Sequence, residues 1–210
     1  MSDREVELLL VRHGETVGQS SIRLFGATDV ALSEEGEAQM AATGRKLAGL
    51  RFDRVLTSPL SRARRSAEVL LEHVAHPAIA IEAIEAFREV DFGRWEGWTW
   101  DEVRERDRDE HRRFAELGHG FRYPEGESRQ DFFARVQAGV PAIEQAFADG
   151  CSRVLVVVHK GVIKAIAAKL LELPRVADDL ELALASVHRF VRRDDRWRPL
   201  DPSWLGSPQR

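Results

Sequence analysis

Short apolar runs alternate along this sequence with longer stretches of helical periodicity, and this alternation constrains the fold more than any other feature. The runs predict strands at residues 6–11, 54–57, 79–84 and 154–158, with two weaker strands between 182 and 200. Helices are predicted at residues 33–50, 59–73, 132–147 and 161–173, with one or two short helices within 99–117. Strands that alternate with helices build a mainly parallel sheet whose two faces are both covered. The sequence therefore predicts a three-layer α/β sandwich.

Local signals indicate where several of these elements begin and end. Ser33 is a predicted cap of the first helix, and Ser58 with Pro59 is predicted to start the second, because proline is favoured at the first helical position. Pro174 is expected to stop the last helix. Residues 87–100 have two glycines, three tryptophans and no clear period, which predicts a long structured loop.

The size of the chain favours one structural unit. With 210 residues and a hydrophobic content of 43%, the chain can bury one substantial core, so residues 1–210 are predicted to form a single domain. We expect the tail after about residue 200 to be loose, as terminal residues often are.

Charge and cysteine content narrow the partners and the location. Lys and Arg number 31 against 35 Asp and Glu, which offers no electrostatic footprint for a nucleic acid or an anionic membrane surface. The longest apolar runs fall far short of the roughly 20 residues that cross a bilayer. Cys151 is the only cysteine, and no signal-length apolar stretch is seen at the N-terminus, so we expect a cytoplasmic location.

Histidines and arginines follow three of the predicted strands. Arg12 and His13 end the first strand, Arg62 lies one helical turn after the second, and His159 ends the late strand. Because ligands bind beyond the carboxyl ends of the strands in such sheets, we expect these four side chains to converge.

The convergence could serve a metal or an anion. A single histidine at a strand end is more often an ordinary hydrogen-bonded residue, but a pair could bind a metal with an acidic residue such as Glu89. Arg12 and Arg62 oppose this interpretation, because they keep their charge and would repel a divalent cation. Their planar forks match the oxygens of a phosphate, so an anion is the better ligand.

The residues around the first histidine resemble the signature of the histidine phosphatase superfamily, also called the phosphoglycerate mutase-like family. That signature is Leu10-Val11-Arg12-His13-Gly14-Glu15-Thr16. Further matches follow in the order of the family: Gly26, Asp29, Leu32, Ser33, Gly36 and Gln39; residues 57–63; Glu89 with residues 91–93 and 95–97; residues 126–128; and residues 156–162. The matches span almost the whole chain, and the resemblance implies a phosphoglycerate mutase-like fold.

The resemblance also implies a mechanism. It makes His13 the nucleophile that becomes a phosphohistidine, and neutral imidazole is available for this role near pH 7. Arg12, Arg62 and His159 would stabilise the phosphoryl oxygens, and Glu89 would protonate the leaving group and then activate water. No metal and no organic cofactor is required.

Two positions of the phosphate pocket depart from the pattern of the family. Gln19 replaces a usual asparagine, so its longer side chain reaches differently or leaves the phosphate contact unmade. Lys160 stands where a glycine usually follows the second histidine, and it either adds a cation near the phosphate or points to solvent. Both residues are candidates for phosphate binding.

The chain is expected to be a phosphomonoester hydrolase acting on a small phosphorylated metabolite. Mutases of the family usually carry a longer segment between the acid and the second histidine, whereas the interval from Glu89 to His159 is compact. Mutase activity and a silent phosphate-binding protein are the alternatives, and a homodimer is left open. Sugar phosphates, phosphorylated cofactor precursors, nucleotides and phosphoproteins all stay candidates as substrates. A partly apolar leaving-group pocket could be lined by aromatic residues, namely Trp95, Trp98, Trp100, Phe121 and Tyr123.

Overall fold

The computed structural model describes residues 5–74, 79–176 and 180–205, and its centre is a single six-stranded sheet. The strands are β1 Val6–Arg12, β2 Arg54–Thr57, β3 Ile81–Ala83, β4 Arg153–Val158, β5 Val187–Arg193 and β6 Arg196–Pro199. Their order is β3-β2-β4-β1-β5-β6. The first four in this order are parallel, and β5 and β6 extend the sheet as antiparallel strands. The predicted mainly parallel sheet is confirmed.

The described residues form six α-helices, and the first, second, fifth and sixth of them cover the two faces of the sheet. They are α1 Glu34–Lys46, α2 Ser61–Leu71, α3 Trp100–Arg106, α4 Arg108–Leu117, α5 Arg129–Ala148 and α6 Lys160–Leu170. Leu9 and Val11 of β1 pack with Met40 of α1 in one core cluster, whereas the alternate residues Leu8 and Leu10 belong to a second cluster with α5 and α6. Because strand side chains alternate between faces, both faces of the sheet are buried and the three-layer architecture is confirmed.

The starts of the first two helices differ in how they are capped. Ser33 caps α1 as predicted, since its Oγ accepts the Gly36 N–H at 3.1 Å. The predicted start of α2 at Ser58 and Pro59 is wrong, because α2 begins at Ser61. The N–H of Ser61 instead donates to Asp29 Oδ1 at 2.9 Å. A carboxylate from a distant loop therefore satisfies a free amide of this helix, so no local capping residue is required.

The segment after β3 carries little regular structure until α3. Residues 87–100 form a structured loop with a 3-10 turn at Gly93–Trp95, much as predicted. Thr99 then starts α3 with a capping box, in which its side chain and that of Glu102 bond each other's backbone N–H groups. This loop lies at the carboxyl edge of the sheet, where it can contribute to a site.

The described C-terminal residues pack on the antiparallel side of the sheet. Trp204, in a 3-10 turn at Pro202–Leu205, is buried with its ring 5.2 Å from those of His188 and Phe190. The expected loose tail also includes residues 206–210, which lie outside the described residues. Among the described helices, none combines the length and the apolar character that a membrane crossing would need.

Candidate active site

Two histidines meet at the centre of the carboxyl edge. His13 follows β1 and His159 follows β4, which are neighbouring parallel strands with Arg12 paired to Val158. Their ring centroids are 5.1 Å apart at an interplanar angle of 64°. His13 is 4% exposed and His159 is fully buried. The sheet order alone therefore places the two imidazoles side by side.

The hydrogen bonding of His13 defines which ring nitrogen is available. Its Nδ1 lies 2.7 Å from the carbonyl oxygen of Gly14, and because a carbonyl can only accept, Nδ1 carries the proton. A neutral ring then has its lone pair on Nε2. Burial, followed by the charges of Arg62 and Arg12, holds the pKa of His13 well below its usual range. The ring is therefore neutral at pH 7, with Nε2 free to act as a nucleophile.

Arg62 is fully buried at the start of α2, and backbone carbonyls hold its guanidinium. Nη1 donates to Thr28 O at 2.9 Å, and Nη2 donates to Gly26 O at 2.7 Å and to Phe25 O at 3.2 Å. Burial lowers the pKa of Arg62, while the charge of Glu89 opposes this shift. An arginine keeps its charge even then, so a cation is fixed at this edge.

The loop that holds Arg62 is itself held by a carboxylate. Glu96 accepts N–H groups from Gly26, Ala27, Thr28 and Phe92 at 2.9 to 3.3 Å. A Cβ at position 26 would lie 1.8 Å from the carbonyl oxygen of Val90, so only glycine allows this approach. The position of Arg62 thus depends on the acid loop as well as on its own helix.

Arg12 brings a second guanidinium to the same edge. Its Nη1 donates to the carbonyl of Leu182 at 2.6 Å, in the segment that precedes β5. Burial lowers the pKa of Arg12, and the carboxylates of Glu89, Glu15 and Glu181 oppose the shift. Both arginines are therefore oriented by main-chain oxygens rather than by paired carboxylates.

Several buried polar atoms at this edge have no hydrogen-bond partner. In the described part of the chain the buried side-chain atoms without a partner are Arg12 Nε, Thr57 Oγ1, Arg62 Nε and both ring nitrogens of His159. All belong to the ends of β1, β2 and β4 or to the first turn of α2. Leaving a buried donor unpaired costs about 1–3 kcal/mol. A ligand with several acceptor oxygens would satisfy these groups together.

Glu89 lies beside this cluster with its carboxylate held by two amides. Oε1 accepts the Val90 N–H and Oε2 accepts the Gly161 N–H, both at 3.0 Å. Burial raises the pKa of Glu89, against the two hydrogen bonds and the charges of Arg62 and Arg12. A Cβ at position 161 would lie 2.6 Å from Oε1, so the glycine after Lys160 lets the carboxylate approach α6.

Sequence reasoning missed the residue that holds the backbone of Glu89. Arg135 of α5 donates to the carbonyls of Ala86, Arg88 and Glu89 at 2.9 to 3.4 Å, and it pairs with Glu127. Contacts from a side chain to distant carbonyls leave no periodic pattern in a sequence. In the sequence, only the resemblance to the family at residues 126–128 pointed to the pair of Arg135 and Glu127.

The two candidates that depart from the family have exposed side chains. Gln19 is exposed, with φ at 61° in the left-handed region, and its backbone N–H donates to Thr16 O. Asparagine tolerates that conformation better than glutamine, which explains why the family usually has asparagine at this position. Lys160 is exposed at the first position of α6. Among the described residues, neither side chain is hydrogen-bonded to His13 or His159.

A cavity of about 510 Å³ opens next to Glu89, and its wall was only partly predicted. Trp100 and Tyr123 line it, but Trp95 and Phe121 stack at 5.5 Å in the core and Trp98 packs beneath Arg106. Core packing therefore explains those three aromatic residues. The unpredicted lining is apolar and basic, and includes Phe92, Phe114, Phe132, Phe133, Arg129, Lys164 and Arg175.

The metal alternative finds no support in the arrangement. Residues 5–74, 79–176 and 180–205 contain no group of three or more His, Cys, Asp or Glu side chains arranged to hold a metal ion. Both carboxylate oxygens of Glu89 already accept backbone N–H groups, from Val90 and Gly161. The cluster presents cations and donors, which suit an anion.

Sequence comparison gives the family of the chain. The sequence model described as the histidine phosphatase superfamily (branch 1) matches residues 8–203. A protein named uncharacterized phosphatase PhoE, from Bacillus subtilis, is 29% identical over 192 residues, which are 91% of each chain. A protein named probable phosphoglycerate mutase GpmB, from Klebsiella pneumoniae, is 30% identical over 201 residues, 95% of this chain and 90% of the relative.

A solved structure shares the fold. The crystal structure of a phosphoglycerate mutase from Bacillus anthracis matches with a TM-score of 0.79 at 24% identity, over 97% of this chain and 96% of that one. The predicted phosphoglycerate mutase-like architecture is thereby confirmed. Since the family match covers nearly the whole sequence, the chain is an enzyme of the histidine phosphatase superfamily, as its motifs predicted.

Proposed function

We propose that this enzyme hydrolyses small phosphate monoesters through a phosphohistidine formed at Nε2 of His13. The observation that carries the proposal is the free Nε2 beside the buried, unpartnered nitrogens of Arg12, Arg62 and His159. A phosphoryl group placed there supplies the acceptors that these donors require. Preorganised donors around the phosphoryl oxygens provide most of the catalysis in such transfers.

In the first step the phosphoryl group moves from the ester to the enzyme. Nε2 of His13 forms a bond to phosphorus while the bond from phosphorus to the ester oxygen breaks. Glu89, whose pKa is raised by burial, gives its proton to that oxygen, and an alcohol leaves. Burial, together with Arg62, lowers the pKa of His159, and the negative charge of a bound phosphate dianion raises it. His159 therefore takes a proton from solvent as the ester binds and returns it when inorganic phosphate leaves.

In the second step water returns the enzyme to its starting state. The Glu89 carboxylate takes a proton from a water molecule as the water oxygen attacks phosphorus. The bond between phosphorus and His13 breaks, and inorganic phosphate leaves. The two steps sum to ester plus water giving alcohol plus phosphate, so the proposed reaction balances without a metal or an organic cofactor.

Phosphoryl transfer back to a substrate is the second candidate. The relative named as a probable phosphoglycerate mutase favours it, and the relative named as a phosphatase favours hydrolysis. Hydrolysis is preferred because the chain between Glu89 and His159 is short, as in the sequence interpretation. A protein that binds phosphate without turnover is the third reading, which the intact set of site residues opposes.

The experiment is hydrolysis of p-nitrophenyl phosphate with EDTA and no added metal, with His13→Ala as the control. We expect phosphate release by the wild type and an acid-labile phosphohistidine in 31P NMR spectra of a quenched reaction, both absent from the variant. Phosphate binding without release above the His13→Ala level would contradict hydrolysis. Movement of phosphate between positions of phosphoglycerate faster than its release would establish the mutase instead.

The wider expectations stay predictions. We infer a cytoplasmic location and a single domain over residues 1–210, with a small phosphate ester as the ligand and neither nucleic acid nor a membrane as a partner. Cell fractionation tests the location, and limited proteolysis tests the domain. A mass measured in solution decides whether the enzyme is a homodimer.

A further inference from the structure

The main chain around Glu89 is held by a side chain from another element. Arg135 of α5 donates from Nη1 to the carbonyls of Ala86 at 2.9 Å and Arg88 at 3.0 Å, and from Nη2 to the carbonyl of Glu89 at 3.4 Å. These three carbonyls lie beyond the end of β3 at Ala83. One guanidinium therefore supplies hydrogen bonds there in place of a neighbouring strand.

The same guanidinium is fixed from its other side by a carboxylate. Nε of Arg135 donates to Glu127 Oε1 at 2.9 Å, and Nη2 donates to Oε2 at 2.8 Å. Together with the three carbonyls, these bonds use all five N–H donors of the arginine. The Glu127 N–H in turn donates to the carbonyl of Asp91 at 3.0 Å, so the loop is held on both sides of the acid.

Phe132 connects the same helix to the carboxyl group of Glu89. It lies three residues before Arg135 on α5 and hence on the same face, with the guanidinium carbon 5.3 Å from the centre of its ring. A Cβ at Gly161 would lie 3.0 Å from this ring, and the Gly161 N–H bonds the Glu89 carboxylate. Helix α5 thus contacts both the main chain of the acid and the residue that binds its side chain.

The charge of Arg135 is balanced where it lies, because Glu127 forms an ion pair with it at 2.8 Å. The charges that lower the pKa of Glu89 are those of Arg62 and Arg12. Arg135 therefore acts on the acid through the position of its backbone. Position matters because a general acid must lie about 2.6–3.2 Å from the oxygen that it protonates, and a displacement of about 1 Å can cost a hundredfold in rate.

We propose that Arg135, paired with Glu127, is a positioning residue that keeps the Glu89 carboxyl group aligned with the leaving oxygen of the ester. The inference rests on the proposed function and adds a residue that acts through Glu89. In the first step of that reaction, the ester oxygen takes the proton of Glu89 as its bond to phosphorus breaks. Poor alignment slows this step most for a basic leaving oxygen, and it leaves binding of the phosphoryl group unchanged.

The test compares Arg135→Lys with the wild type on two esters. Lysine keeps the charge but has three donors at one point, so it cannot span the three carbonyls and the carboxylate. We expect kcat/KM for benzyl phosphate, whose leaving alkoxide needs a proton, to fall by about tenfold or more. For p-nitrophenyl phosphate, whose leaving oxygen departs without one, kcat/KM should change by less than about twofold. The inhibition constant of inorganic phosphate should stay at the wild-type value.

Arg192→Lys is the matched control. Arg192 also pairs with a carboxylate of α5, Glu144, at 2.6 Å, and its guanidinium carbon lies 5.5 Å from the ring centre of Phe147. Its side chain is 27% exposed, compared with 31% for Arg135. This variant should keep both wild-type values of kcat/KM. Thermal unfolding shows whether each protein is folded, and Glu127→Gln, which weakens the same fork, is the second variant if Arg135→Lys is not.

A double-mutant cycle with Glu89→Gln separates positioning from general damage to the fold. The amide has no acidic proton to give, so Arg135→Lys should cause no further loss of kcat/KM for benzyl phosphate in that background. A purely structural role would slow the Glu89→Gln enzyme as much as it slows the wild type.

Two sets of outcomes distinguish failure of this inference from failure of the proposed function. The inference is overturned, and hydrolysis left intact, by an equal fall of kcat/KM for the two esters, by no fall for either, or by a fall that persists in the Glu89→Gln background. Release from both esters by the wild type at the level of the His13→Ala control overturns the proposed function itself.

Discussion

The two ends of this site are built in different ways. The phosphate end, formed by Arg12, His13, Arg62 and His159, is held by the ends of β1 and β4 and by the first turn of α2, and it is largely buried. The leaving-group end, which is the cavity beside Glu89, is assembled from the loop after β3 and from α4, α5 and α6, and several of its side chains are exposed. In the proposed reaction, the sheet therefore positions the groups that bind the phosphoryl oxygens, and the surrounding helices and loops contact the leaving group.

The largest expected effect is at Arg62. Arg62→Gln removes a fixed charge from the phosphate end, so we expect kcat/KM to fall by about 10²–10³ for every ester, whatever its leaving group. Arg62→Lys should recover little, because an ammonium lacks the fork that meets the carbonyls of the 25–28 loop. Phosphate release from several esters measures both variants.

Arg64→Gln is the matched control for Arg62, since Arg64 is exposed on the same helix. It should leave every rate near the wild-type value. If the loss of kcat/KM in Arg62→Gln differed greatly from ester to ester, the phosphate end and the leaving-group end would not act independently.

Glu89 joins the two ends, and a smaller effect is expected there. Glu89→Gln removes the proton donor, so kcat should drop by about a hundredfold for esters with a basic leaving oxygen and by much less for p-nitrophenyl phosphate. Because burial raises the pKa of Glu89, the wild-type rate should decline as pH rises through that pKa, and this decline should be absent from the variant. Profiles of kcat against pH, for p-nitrophenyl phosphate and for an ester with a basic leaving oxygen, measure this decline.

Glu85→Gln is the control for Glu89, because Glu85 is an exposed carboxylate in the same segment. A loss in Glu89→Gln that is equal for both leaving groups would show that this carboxyl positions the site without donating a proton.

The smallest effect is on stability. Burial lowers the pKa of His13 and of His159, so below the unfolded value of about 6.5 the unfolded chain binds protons that the native protein does not. Above that pH the two buried histidines therefore take nothing from the stability of the fold. As pH drops below it, the free energy of unfolding should fall by on the order of 1 kcal/mol per histidine per pH unit. Urea unfolding at pH 7 and pH 5 measures the slope.

A third, half-buried histidine allows this slope to be assigned. Burial lowers the pKa of His188 to about 4, but its ring lies beside Ser186 and Trp204, away from the site. His159→Asn and His188→Asn should each reduce the dependence of stability on pH, while only the second keeps hydrolysis. A slope unchanged by His159→Asn would mean that the burial of His159 does not lower stability at acidic pH.

The phosphate end could be predicted because its residues directly follow strands. The apolar runs before His13 and His159 fix where the strands stop, and parallel pairing then brings the two imidazoles together. Arg62 follows β2 by one turn, so the same reasoning extends to it. No step in that argument depends on long-range side-chain detail.

The leaving-group end could not be predicted to the same depth. Trp95 and Trp100 are similar in sequence context, yet Trp95 is buried in the core and Trp100 is 40% exposed at the cavity. Whether each ring is buried or exposed depends on how the 87–100 loop packs, which the sequence pattern does not encode. The start of α2 was missed for a related reason, since its free amide is satisfied by Asp29, from a distant loop.

The attachment of Glu89 to Gly161 has an evolutionary consequence. One helix both anchors the proton donor through a backbone amide and displays two lysines along its outer turn. A main-chain donor does not change when a neighbouring side chain mutates, so exchanges at positions 160 and 164 can alter the cavity wall without moving the carboxyl group. Related enzymes can diversify in this way by single substitutions, with the bond-breaking apparatus inherited intact.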